Sequence, residues 1–284
     1  MTPAFALDHL VIAVRDLQKA VADYSALGFT VTPGGRHTHA PTQNALVYFA
    51  DGAYFELIEW LAGVPGEKWY ERLQAHGDGL VDFALVPGRL ADALKQAAKG
   101  AISYKGPIPG SRFKADGQEV KWELAWPQSY ALPFLCGDIT PRALRVPEGS
   151  VTVHANRAQG VAAVAIRVHD LGGAARDYTR LLGIPAGSAS LSSQVLQAKG
   201  LDVCAIRLGS SVLNLVSPVA GSMAAAAVKL RADLVGHGEG AYRLVLDVAS
   251  NQPARHVSRE RSSGVSLVFS AAGLASQDQV DPLA

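Results

Sequence analysis

The sequence predicts an α+β protein built from tandem βαβββ units, paired into two domains that each curl a mixed sheet into a half-barrel. Three observations carry this. An element repeats: residues 8–24 (DHLVIAVRDLQKAVADY) and 162–178 (AAVAIRVHDLGGAARDY) align at constant offset, matching Val14, Asp16, Leu17, Ala20, Asp23 and Tyr24 to Val168, Asp170, Leu171, Ala174, Asp177 and Tyr178. Each copy precedes apolar runs of strand length separated by turn residues. The chain of 284 residues, 49% of them hydrophobic, is long enough to bury two cores.

The first unit opens with an apolar, branched run at 8–14, a strand signal. Asp16 is placed to cap a helix with Leu17, Val21 and Tyr24 on one face, ended by Gly28. A short strand, FTVT (29–32), is expected next, then a turn at 33–35 (PGG). Strands at 44–49 and 53–60 flank Asp51-Gly52, a hairpin signal. A connecting helix is expected within 63–79, and a second unit follows with strands at 79–86, 119–127 and 130–138 and a helix at 90–100.

The order recurs from residue 160: a strand, a helix from Asp170 to Leu182 ended by Gly183, and strands at 194–200, 202–208 and 211–219. A helix around 224–234 and strands at 241–250 and 265–272 complete a fourth, eroded unit. The expected domains are 1–138 and 160–284, joined by a linker at 139–159 rich in Pro, Gly and Arg.

A net charge of +1 gives no indication of electrostatic capture of nucleic acid or of an acidic membrane. No apolar run is long enough to span a bilayer, and no secretory signal is read at the N-terminus. Cys136 and Cys204 are the only cysteines, which favours a reducing, cytoplasmic setting. There is no GxSxG, so nucleophilic triads find no support, and PGG and PGS lack the helix and Lys that a phosphate loop requires.

Several stretches give the chain a family resemblance. The DHLVIAVRDL opening, LGFTVTPGGRH (27–37), NALVYFADGAYFELIEW (44–60), PIPGSR (107–112) and LPFL (132–135) resemble the vicinal oxygen chelate superfamily, and within it the glyoxalase-like domain proteins. That superfamily includes glyoxalase I, extradiol dioxygenases and bleomycin-resistance proteins, so the resemblance specifies fold better than reaction. In metal-dependent members a divalent ion sits in the barrel on the first and last strands of both units. His9 and Glu56 occupy two such positions, each alternating onto one face of its strand. The other two positions depart from the pattern: Asp82 stands where His is usual, and Pro133, which has no ligating side chain, where Glu is usual.

His9, Glu56 and Asp82 therefore form a candidate three-ligand set for one Zn, Ni, Mn or Fe ion. His9 and Glu56 are also the candidate catalytic pair. A metal-free pocket using the same pair, and a purely structural pair, stay open beside this. Arg36, His37, Asn44, Tyr48, Arg112 and Trp122 are candidate substrate contacts, Arg36 for an anionic group and Trp122 for an apolar wall.

The expected function is that of a metal-assisted lyase, isomerase or hydrolase acting on a small oxygenated molecule. Ordinary glyoxalase I or extradiol dioxygenase activity is disfavoured by the incomplete ligand set. The alternative is a non-catalytic binder of drug-like or aromatic molecules. In the second half Ala163, Asn214 and Arg243 stand where the first has His9, Glu56 and Asp82, so no ligand set remains there. That half is expected to pack, to shape the first pocket or to form a homodimer.

Overall fold

The structure is a computed structural model that describes residues 5–114, 116–185, 188, 190–249, 254–271 and 279–283. The first sheet has eight strands: β1 (Phe5–Ala13), β2 (Thr32–Arg36), β3 (Thr42–Tyr48), β4 (Tyr54–Trp60), β5 (Gly79–Pro87), β6 (Tyr104–Phe113), β7 (Glu119–Pro127) and β8 (Phe134–Asp138). Their order is β2-β3-β4-β1-β5-β8-β7-β6. The two units meet through their first strands: β1 lies antiparallel to β5, and each runs parallel to the last strand of its own unit. This pairing leaves no open edge between the units and curls the sheet into a half-barrel.

Helix α1 (Leu17–Ala26) starts where Asp16 accepts from the Lys19 backbone N–H. Helix α2 (Lys68–His76) connects the units, and α3 (Leu90–Lys99) belongs to the second. The 139–159 stretch carries a one-turn helix, α4 (Arg142–Arg145).

The second half repeats the plan with β9 (Ala158–Arg167), α5 (Leu171–Leu182), β10 (Leu191–Leu196), β11 (Leu201–Leu208), β12 (Ser211–Pro218), α6 (Ala225–His237), β13 (Gly240–Val248), β14 (Arg255–Val257) and β15 (Ser266–Ser270). Its sheet order is β10-β11-β12-β9-β13-β15-β14. Residues 250 and 272, the last of two expected strands, lie outside the described residues.

Several strand assignments differ from expectation: residues 130–133 precede β8 rather than opening it, 197–199 form a 3-10 turn after β10, and β14 is an additional strand. Residues 29–31 are not strand, and Pro33-Gly34-Gly35 lies inside β2 rather than forming a turn. Pro is tolerated there because β2 is an edge strand, and a register shift between Pro33 and Gly35 absorbs the irregularity. Strand β6 was not foreseen, since its Gly-Pro-rich sequence breaks strand periodicity; it too is an edge.

One apolar core runs through both halves. It takes Tyr24 of α1, Ala93 of α3, and Tyr178 and Leu181 of α5, together with inward residues of both sheets such as Leu10, Phe55, Leu213 and Phe269. These three helices thus lie between the sheets, and each sheet's other face is free to form a cup. Along β1, Leu10 and Ile12 face this core while Val11 and Ala13 join a separate cluster on the opposite, cupped face.

Candidate functional site

The first cup encloses a cavity of about 420 Å³, within the range of small-molecule sites. Trp60, Trp69, Trp122 and Trp126 all line it, and the chain has only four tryptophans. Ile58, Ile108 and Leu124 extend the apolar wall, and His9, His37, Asn44, Glu56 and Arg112 supply the polar groups.

A bulge builds the floor. In the β1–β5 ladder Leu7 opposes Leu85 and His9 opposes Ala84, so Asp8 is the extra residue. This lets two successive side chains, Asp8 and His9, meet. The Asp8 carboxylate is fully buried. It accepts from Arg142 Nη1 (2.7 Å) and from Arg145 Nη1 (2.8 Å) and Nη2 (3.1 Å). Burial alone would raise its pKa, but Arg145, the His9 hydrogen bond and Arg142 together hold it well below the usual carboxylate range.

An ionised Asp8 can only accept, so His9 Nδ1, 2.7 Å away, is the donor. In the neutral imidazole this leaves the Nε2 lone pair directed at the cavity, with Glu56 Oε2 at 3.6 Å. Tyr54 stacks on the imidazole at 4.7 Å between centroids, and Phe134 meets it edge-on at 5.2 Å.

Glu56 is fixed from β3 and the loop before it. Asn44 Nδ2 donates to Oε1 at 2.6 Å, and His37 Nε2 lies 3.6 Å from the same oxygen. Burial lowers the His37 pKa against the opposing pull of Glu56, and Arg112 lowers it further. Asn44 Oδ1 is buried without a hydrogen-bond partner and packs on Gly34, where an added Cβ would come within 1.9 Å of it.

The remaining predicted residues are distributed as follows. Arg112 lines the cavity, but its guanidinium donates to Gly34 O and, at 3.3 Å, to the Tyr48 hydroxyl. Tyr48 is buried behind the wall rather than in it. Trp122 lies edge-on to His37 at 6.0 Å. Arg36 is exposed and does not line the cavity. Asp82 is not brought to His9 and Glu56 as a lining group: its Oδ2 accepts from Lys68 Nζ (2.7 Å) and Trp69 Nε1 (3.0 Å), and its Oδ1 from the Phe83 N–H (2.9 Å).

The sequence reading missed Asp8, Arg142 and Arg145 at the floor and Trp60, Trp69 and Trp126 in the wall. The Asp-His dipeptide was the available signal for Asp8. The two arginines come from the expected linker, and nothing in their local pattern points to β1.

A divalent ion does not fit this floor well. Among the described residues, the one His/Cys/Asp/Glu group with donor atoms all within 4.8 Å is Asp8, His9 and Cys136. Asp8 is already matched by two guanidiniums, and burial drives the Cys136 thiol pKa well up, against the thiolate a metal needs. In the second unit, Ala84 and Phe134 continue the cross-strand row from His9, and neither can ligate.

In the second cup, Ala163, Asn214 and Arg243 are buried. The chain's own C-terminal segment covers this face: Asn214 Nδ2 donates to Gln279 Oε1 at 3.2 Å, the Tyr242 hydroxyl donates to Val280 O, and Lys199 pairs with Asp281.

A pair of βαβββ units curled around a polar floor defines the vicinal oxygen chelate superfamily. The glyoxalase-like domain family model matches residues 7–182, and the chain belongs to that family. No curated protein matches it by sequence. Among solved structures, a hypothetical protein from Staphylococcus aureus superposes with TM-score 0.68 at 12% identity, covering 94% of this chain and 99% of that one. A mutant of 4-hydroxymandelate synthase from Streptomyces coelicolor gives 0.64 at 15% identity, covering 99% and 98%. A xylose isomerase-like TIM barrel/4-hydroxyphenylpyruvate dioxygenase fusion protein gives 0.53 at 16% identity, covering 88% of this chain and 38% of that one. At these identities the likeness is one of fold. Among the described residues, no helix is long and apolar enough to cross a membrane.

Proposed function

We propose that the first cup is the active site of an isomerase- or lyase-type enzyme that moves a proton on a small molecule with an apolar, flat body and an oxygenated head. The observation that carries this reading is the His9 imidazole, oriented through Nδ1 by Asp8, with Nε2 and the Glu56 carboxylate converging at 3.6 Å inside an aromatic-walled cavity. A base and a carboxylate this close can both reach one substrate atom on their cavity side, at roughly 3 Å from each. The tryptophans would stack on the body of the ligand. The head would meet His9 and Glu56, with the Arg112 charge nearby to favour a developing oxyanion. His9 Nε2 would take the proton and return it to a neighbouring atom, with Glu56, steadied by Asn44, as the partner.

The test is deuterium incorporation from D₂O into a panel of aromatic 2-oxo and 2-hydroxy carbonyl compounds. The wild type should exchange at least one of them, and His9→Asn should slow exchange by about 100- to 10,000-fold, the usual contribution of general acid–base catalysis. Exchange should survive exhaustive chelation. Exchange that persists in His9→Asn, or that is lost on chelation and restored by a metal ion, would overturn the reading.

A further inference from the structure

We propose that a second ligand site, for a compact phosphate-class dianion, lies at the junction of the two halves. A cavity of about 300 Å³ opens there between the C-terminal ends of α2 and α6, away from the first cup. Four cationic side chains line it, Arg72, Arg167, Lys229 and Arg259, against two carboxylates, Asp78 and Asp233. Lys229 pairs with Asp233 at 2.5 Å, and Asp78 Oδ1 accepts from the Arg15 backbone N–H at 3.0 Å. The unneutralised excess is therefore positive.

Part of this charge has a structural role. Arg72 donates to Val81 O, His237 O and Glu239 O and stacks on Tyr130, which accounts for both its terminal nitrogens. Arg15 Nη2 likewise caps Leu73 O at the end of α2. Arg167 is different. Only its Nε is engaged, donating to Gly238 O, and among the described residues neither terminal nitrogen has a hydrogen-bond partner. The residue is 8% exposed and lines the cavity, so its guanidinium edge presents to the open space two donors that no protein group takes.

A guanidinium edge of this kind is matched by two oxygens of one anion. Arg259 is exposed and lines the same cavity, adding a second guanidinium on the solvent side. His76 and His237 complete the wall, with ring centroids 4.5 Å apart. Burial and the surrounding arginines lower the pKa of both, a strain that a bound anion would relieve. Burial and Arg72 lower that of Arg167 as well, to about 10.

The experiment is calorimetric titration of the full chain with inorganic phosphate at low ionic strength, repeated with a phosphate monoester. One site per chain is expected, with about tenfold or greater weakening in Arg167→Gln. Arg259→Ser, an exposed change that leaves the fold alone, should weaken it too, and phosphate should raise the NMR-measured pKa of His76 and His237. Monoester binding as tight as that of phosphate assigns the site to a phosphorylated molecule, and binding of phosphate alone assigns it to the free ion. Absence of saturable binding at millimolar phosphate, or unchanged affinity in both variants, would overturn the proposal.

Discussion

Asp8 is the residue on which the cup's floor depends. It receives two guanidiniums and an imidazole, and its charge sets the tautomer of His9. Asp8→Asn removes the charge and leaves the buried Arg145 with Asp138 as its remaining carboxylate partner, which should cost about 1–3 kcal/mol at neutral pH. Its folded pKa is depressed below the unfolded value of about 3.9. The stability it contributes is therefore complete above that value and disappears as pH falls through the lower folded pKa. Denaturant titrations of both proteins should accordingly differ at pH 7 and converge in strong acid. Gly34 governs the opposite side of the floor. In Gly34→Ala the new Cβ would meet Asn44 Oδ1 at 1.9 Å and push Asn44 off Glu56. Overpacking of this kind costs about 1–3 kcal/mol, measurable by thermal unfolding, and should reduce proton exchange because Glu56 loses its orienting donor.

At the scale of elements, the sequence made the repeat, the capped helices and the central strands legible because each has a strong local signal. Asp16 and Asp170 cap α1 and α5, and Asp51-Gly52 closes the β3–β4 hairpin. Strand alternation also placed Glu56 with Tyr54 and Ile58 and His9 with Val11 and Ala13, which is how those residues lie. What could not be read were features decided by long-range contacts. The bulge at Asp8 depends on β5, the strand character of Pro33-Gly34-Gly35 depends on β3, and α4 reaches Asp8 across 134 positions of chain. Asp82 illustrates the same limit: its strand position resembles that of a ligand, but α2 folds over it and engages its carboxylate. It holds Trp69 in the cavity wall, so Asp82→Ala should leave a buried indole N–H and a half-buried ammonium unpaired. The expected cost is about 1–3 kcal/mol in chemical denaturation, with a red shift of tryptophan emission.

At the scale of the molecule, duplication explains both what is kept and what is lost. The matched tyrosines tie the halves together reciprocally: the Tyr24 hydroxyl donates to Ser262 O, and the Tyr178 hydroxyl to Ala131 O. The repeated frame is thus required by the shared core, whereas the imidazole is not. The second cup has Ala163 on its floor and is covered by residues 279–283. The proposed proton transfer belongs to the first cup, and its ring of all four tryptophans offers the most direct measurement. Titrating the oxygenated aromatic panel while following intrinsic fluorescence should give saturable quenching for the compounds that exchange deuterium. His9→Asn and Glu56→Gln should keep the quenching while losing the exchange. Quenching absent for every exchanging compound, or exchange intact in both variants, would contradict the assignment of proton transfer to this floor.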